Sequence, residues 1–184
     1  IETSVDLKDY KTAKHYVEKA VNKFPENPDI NFIAGVVYDK LNMFEETEKY
    51  MKKTISLKPD HAEALNYLGY SYADRGINLQ EALSLIEKAI KLKPNNGYYI
   101  DSLGWVYFKL GNKDKALQYL LEAINFVKDD PVIFEHLGDI YKELGEYEKA
   151  LKSWQESIKY HEKEEGIKER VENKIKEIKP FIKN

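Results

Sequence analysis

Residues 131–164 read PVIFEHLGDIYKELGEYEKALKSWQESIKYHEKE. Within them Leu137-Gly138 is followed by Tyr141, then by Leu144-Gly145, Ala150 and Trp154. Apolar residues recur at helical spacing on both sides of Gly145, which predicts two amphipathic helices joined by a tight turn. Asp130 before Pro131 reads as an N-cap followed by proline in the first turn. Gly138 and Ala150 fall where the two helices would cross. Small side chains there let the backbones approach, while tyrosine and leucine fill the flanks.

The pattern repeats along the chain. Glycine followed three residues later by tyrosine occurs at Gly35/Tyr38, Gly69/Tyr72, Gly104/Tyr107 and Gly138/Tyr141. Downstream small residues follow in register at Ala82, Ala116 and Ala150, then at Ala89, Ala123 and Ser157. Pro25, Pro59 and Pro94 close their units, and Asn42, Gly76, Gly111 and Gly145 break the helices. A fixed register of this length is the signature of a repeat protein, in which each unit buries its apolar face against its neighbours.

These residues resemble the tetratricopeptide repeat, a helix–turn–helix unit of about 34 residues with L-G-x-x-Y, then A-x-x-x-aromatic, then Pro. The resemblance covers roughly residues 1–164. It implies an all-α fold, a right-handed α-solenoid of antiparallel helix pairs whose first helices line a concave face. The units expected are an incomplete repeat at 1–27 and full repeats at 28–61, 62–96, 97–130 and 131–164. Residues 165–184 form a capping helix and tail, with Ile167, Val171, Ile175 and Ile178 as one apolar stripe on a charged helix. The runs from Asp74 to Ala82 and from Asp101 to Tyr107 look like bacterial members of the family. Residues 1–7 match only the second half of a first helix, so the chain is expected to be a fragment of a longer protein.

Departures from the pattern carry expectations of their own. The unit 62–96 holds one extra residue, placed in the turn Gly76-Ile77-Asn78-Leu79. Thr47 and Thr54 stand where other units carry alanine or serine, which predicts a looser helix pair over 28–61. Asp60 with Glu63, and Asn78 with Glu81, each read as a capping box. Lys128 stands where proline would close the unit 97–130.

Composition removes several classes of function. There are 29 Lys+Arg against 32 Asp+Glu, a formal charge of −3, and the only arginines are Arg75 and Arg170. A nucleic-acid partner calls for a basic face, so none is expected. The absence of cysteine excludes disulfides, thiolate zinc sites and cysteine nucleophiles. No apolar run is long enough for a membrane span, so no membrane insertion is expected. His15, His61, His136 and His161 form no metal-ligand spacing and need no special role. Neither a nucleophile elbow nor a phosphate loop occurs. No cofactor, metal or catalytic residue is expected, and the segment is not expected to be an enzyme.

The concave face that the resemblance implies can be read off the first helices. The outward stripe lies six and three residues before each motif glycine, and one, four and five after it. Its twenty positions hold eight carboxylates, three lysines and eight apolar or aromatic side chains. The candidate binding residues are Phe32, Val36, Asp39, Asn66, Tyr70, Asp74, Tyr98, Asp101, Trp105, Phe108, Glu135, Asp139 and Glu143. Some co-chaperones of this family grip acidic chain ends through lysine and asparagine at matching places. Here those places hold Phe32, Val36, Asn66, Asp101 and Trp105, so that clamp is missing. An acidic, aromatic groove favours a peptide or partner protein with apolar anchors and some lysine or arginine.

The expected function is a non-catalytic scaffold for protein–protein contact. Two alternatives carry different tests. The repeats could be the accessory region of an enzyme whose catalytic domain lies upstream, or a module that self-associates through its N-terminal edge.

Overall fold

The computed structural model describes residues 9–182; the half-helix expected over residues 1–7 lies outside the described residues. Ten α-helices occur among the described residues. In chain order they are α1 (Tyr10–Lys23), α2 (Pro28–Lys40), α3 (Phe44–Leu57), α4 (Ala62–Arg75) and α5 (Leu79–Leu92). They continue with α6 (Gly97–Lys109), α7 (Lys113–Phe126), α8 (Pro131–Glu143), α9 (Tyr147–Lys159) and α10 (Ile167–Ile178). Short 3-10 turns at His161–Lys163 and Lys179–Phe181 flank α10. No strand is found among the described residues, and no helix there is long and apolar enough to cross a membrane. The chain divides into two compact units, residues 1–68 and 69–184, with the division inside α4.

In the first unit Ala13 and Val17 of α1 pack on Ala34, Val37 and Tyr38 of α2. Gly35 marks the crossing of α2 and α3, where an added Cβ would lie 2.7 Å from the end of Met51. Thr47 and Thr54 do not loosen this pair. Both are fully buried, and their hydroxyls donate to the carbonyls of Met43 (3.0 Å) and Tyr50 (2.9 Å), one turn back. Asn27 caps α2 by accepting from the Ile30 amide at 3.0 Å. The cap at the start of α4 differs from the sequence expectation. It is the His61 ring, not Asp60, that accepts from the Ala64 amide, at 3.2 Å.

The second unit repeats the crossing with stiffer partners. A Cβ on Gly69 would meet Ile86, one on Gly104 would meet Leu120, and one on Gly138 would run into the indole of Trp154. Ile100, Leu120, Ile133, Leu137 and Ile140 form a core around Ala116 and Ala123. Asn96 and Asp130 cap α6 and α8, each accepting from two backbone amides. Asn78 forms no side-chain cap, against the expected capping box, because it adopts a left-handed conformation with φ 47°. Gly76 is left-handed too, with φ 68°, so this turn carries two such residues. The turns at Gly111 and Gly145 carry one each, the glycine itself. Ile167, Val171 and Ile178 of α10 are fully buried beside Trp154 and Ala150, and the remaining faces of the helix are charged.

The motif glycine of α8 is therefore a packing requirement. Trp154 is fully buried and its indole nitrogen is hydrogen-bonded, so it cannot swing away from a new methyl group. Gly138→Ala is expected to cost about 1–3 kcal/mol of stability by urea unfolding. Gly35→Ala should cost less, because Met51 is flexible. Equal losses from the two substitutions would refute the crossing argument.

Candidate functional site

The thirteen candidate binding residues fall on both units. Phe32, Val36, Asp39 and Asn66 lie in the first. There Phe32 is half-buried, with its ring 4.9 Å from His61 and edge-on to Tyr67 at 6.2 Å. Asp39 accepts from the Tyr67 hydroxyl at 2.8 Å, and Val36 and Asn66 are half-buried. These contacts make the patch a continuation of the helix packing, with little free charge.

The second unit holds a cavity of about 370 Å³. Tyr70 and Asp74 of α4, Trp105 of α6, and Val132, Glu135, His136 and Asp139 of α8 line it. Glu164, with Arg170 and Lys174 of α10, completes the wall. Five of the candidate residues are thus brought together: Tyr70, Asp74, Trp105, Glu135 and Asp139. The other four of this unit are not. Tyr98 is 53% exposed and lies outside the cavity. Glu143 is tied to Lys113, which donates to its carbonyl at 2.8 Å and its carboxylate at 3.2 Å. Phe108 stacks on Trp105 at 5.0 Å, and Asp101 is buried behind the cavity.

The groove is also less acidic than the sequence suggests. Arg170 donates to both oxygens of Glu135, at 2.8 and 2.7 Å, a forked geometry suited to guanidinium. Lys174 donates to Glu135 at 2.6 Å and to both oxygens of Asp139 at 2.8 and 2.6 Å. Burial opposes ionisation of Glu135, but the hydrogen bonds from Arg170 and Lys174 outweigh it and hold its pKa below the ordinary glutamate value. Burial dominates at Asp139 and raises its pKa, with Lys174 opposing. The capping helix therefore supplies the counter-ions for its predecessor's acids. Arg170 and Lys174 were legible in principle, since they follow Glu135 and Asp139 by one repeat length. A near-neutral charge count over the C-terminal helix hides them.

Trp105 is 6% exposed and forms a wall of the cavity. His136 stacks flat against it, with ring centroids 3.9 Å apart and planes 14° from parallel. The ring of Tyr70 lies 6.0 Å from His136 on a tilted plane. His136 also shares a hydrogen bond with Asp101 through Nδ1 at 3.0 Å. It thus has a structural role that no histidine motif announces. Burial opposes a charge on His136, but the Asp101 carboxylate and its hydrogen bond outweigh that and raise the pKa. Burial, then the charges of Asp74, Asp101 and Glu135, push the Tyr70 phenol well up.

Paired helices crossing at a glycine and joined by left-handed turns define an α-helical repeat protein with an aromatic recess on its first helices. The tetratricopeptide repeat profile matches residues 6–168, and the chain belongs to the tetratricopeptide repeat family. It is 30% identical over 104 residues to a TPR repeat-containing protein of Pseudomonas aeruginosa, a match spanning 56% of this chain and 18% of that relative. Among solved structures it resembles the thermophilic TPR protein TTC0263 of Thermus thermophilus, with TM-score 0.78, 22% identity and coverage of 93% of each chain. It also resembles MamA of Desulfovibrio magneticus, with TM-score 0.70 and 14% identity, covering 90% of this chain and 93% of that one. Both likenesses concern the fold. Proteins of this family act in general as scaffolds for protein–protein contact.

The His136–Asp101 pair has a testable pH signature. Folding raises the His136 pKa, so the pair's stabilisation is complete below the ordinary imidazole value near 6.5 and is lost as pH rises through the folded value. The melting temperature followed by tryptophan emission should fall between pH 6 and pH 9. The fall should be smaller in His136→Gln, and parallel slopes would remove His136 as its source.

Proposed function

We propose that the chain is a non-catalytic scaffold that binds a segment of a partner protein in the cavity of its second unit. The supporting observation is the recess itself, where Tyr70, Trp105 and Val132 surround open volume beside charged groups. Recesses with apolar walls and a few oriented polar groups are the usual form of binding sites. Aromatic side chains in such places tend to carry a large share of binding energy.

The segment carries apolar anchors and basic residues. Apolar side chains suit the Val132 and Tyr70 walls, and the acids of the lining disfavour an acidic chain end. Because Glu135 and Asp139 already hold Arg170 and Lys174, the basic requirement is smaller than the sequence alone implies. Trp105 is too buried to be a clean probe, since its removal would disturb His136 and Phe108 as well.

Val132 is the better test. It is half-buried on the first turn of α8 and lines the cavity without joining an ion pair. Val132→Trp should fill the recess and abolish capture of the partner, while the circular dichroism melt stays within a few degrees of the parent. Unchanged capture by a folded Val132→Trp protein would place the binding surface elsewhere.

A further inference from the structure

We propose that the cavity of the second unit accepts a single lysine or arginine side chain of the bound segment, its cationic end held by Asp74 and Glu164 against Tyr70. This rests on the reading that the cavity binds a protein segment, and it assigns the chemistry of one residue in that segment.

The first argument is a pairing pattern within the chain. Acids on this face are satisfied by groups about one repeat further on: Asp101 by His136, Glu135 by Arg170, and Asp139 by Lys174. Asp74 breaks the pattern. Its successor Lys109 donates to the Asp74 carbonyl at 3.2 Å and lies over the Trp105 ring at 4.8 Å, outside the lining. Among the described residues the Asp74 carboxylate has no hydrogen bond and no ion pair. The Glu164 carboxylate has none either, although the Arg170 charge is close enough to feel it. Both acids line the same cavity.

A second observation is independent of the acids. Among the described residues the buried Trp105 indole N–H has no acceptor, although the side chain forms the cavity wall. Unsatisfied buried donors are rare and costly. Trp105 lines the cavity, and the acceptor assigned to this N–H is a main-chain carbonyl of a segment lying across it. The recess therefore lacks an acceptor at Trp105 and a cation at Asp74 and Glu164. A basic residue of a peptide supplies both, one from its backbone and one from its side chain.

Size and field agree with this occupant. A volume near 370 Å³ is at the small end of ligand clefts and suits one long side chain better than a helix. Four carboxylates face two cations and His136 in the lining, and Lys109 beside Asp74 is engaged with a main-chain carbonyl and the Trp105 ring, so the lining favours a further cation. Burial is the main cause of the raised Tyr70 phenol, and the charges of Asp74, Asp101 and Glu135 add to it. The Tyr70 ring offers a face for cation–π contact, which favours the same charge. Lysine and arginine stems are apolar and can rest on Val132.

Selection of random peptides on the folded chain tests this directly, run in parallel on the parent, on Asp74→Asn/Glu164→Gln and on Val132→Trp. Parent-selected peptides should carry lysine or arginine at one fixed position among apolar residues. The double variant should lose that preference and keep the apolar one. A selected peptide should bind the double variant about tenfold more weakly, and its norleucine counterpart should bind both proteins alike. With only two tryptophans in the chain, two indole N–H signals report the site by NMR. The Trp105 signal should shift on binding and the Trp154 signal should shift less. An apolar consensus without a basic position, or a basic preference that survives the double variant, overturns the cation assignment while the binding reading stands. Failure to enrich any peptide over Val132→Trp overturns both.

Discussion

The structure depends on how closely two helices can cross at a glycine. At Gly138 the space of a missing methyl group is filled by the Trp154 indole, which then donates to the Glu135 carbonyl at 3.2 Å and to Asp139 at 3.1 Å. One packing contact thus ties the Glu135 main chain and the Asp139 carboxylate to the crossing. The same logic is weaker at Gly35, where flexible Met51 stands in the tryptophan's place and no polar group is attached. Crossing geometry and site geometry are coupled in the last repeat and largely separate in the first unit.

A second constraint follows from the repeat length. Because first helices recur about every 35 residues, a charge on one finds its partner at the corresponding place on the next. His136, Arg170 and Lys174 all act on acids of the preceding first helix in this way. Charge on this face is consequently a property of neighbouring units taken together. Glu135 illustrates the energetics. A carboxylate only 4% exposed is tolerable because it accepts three hydrogen bonds from two cations.

Much of the fold is legible in the sequence because glycine, alanine and proline positions report backbone geometry directly. The crossings at Gly35, Gly69, Gly104 and Gly138 and the caps at Asn27 and Asp130 needed no tertiary information. The caps expected at Asp60 and Asn78 do not form, for local reasons. A histidine ring reached the amide first in one case, and a left-handed backbone turned the side chain away in the other. The site was harder. Tyr70, Asp74, Trp105, Glu135 and Asp139 are found by register alone, but Tyr98 and Glu143 share that register and lie outside the cavity. What separates them is the wall that α10 builds. Its contribution could be recognised only by treating it as one more first helix.

The turn at Gly76 to Asn78 shows where the architecture tolerates change. Its extra residue sits after the left-handed glycine and before α5, so no crossing is displaced and no buried side chain changes register. Gly111 and Gly145 occupy the same place in their own units, with left-handed backbones and open space around them. For protein engineering these turns are natural graft points. A short epitope or reactive tag inserted there would leave the helical frame and its recess undisturbed, whereas the same insertion inside a helix would rotate every later contact off its partner.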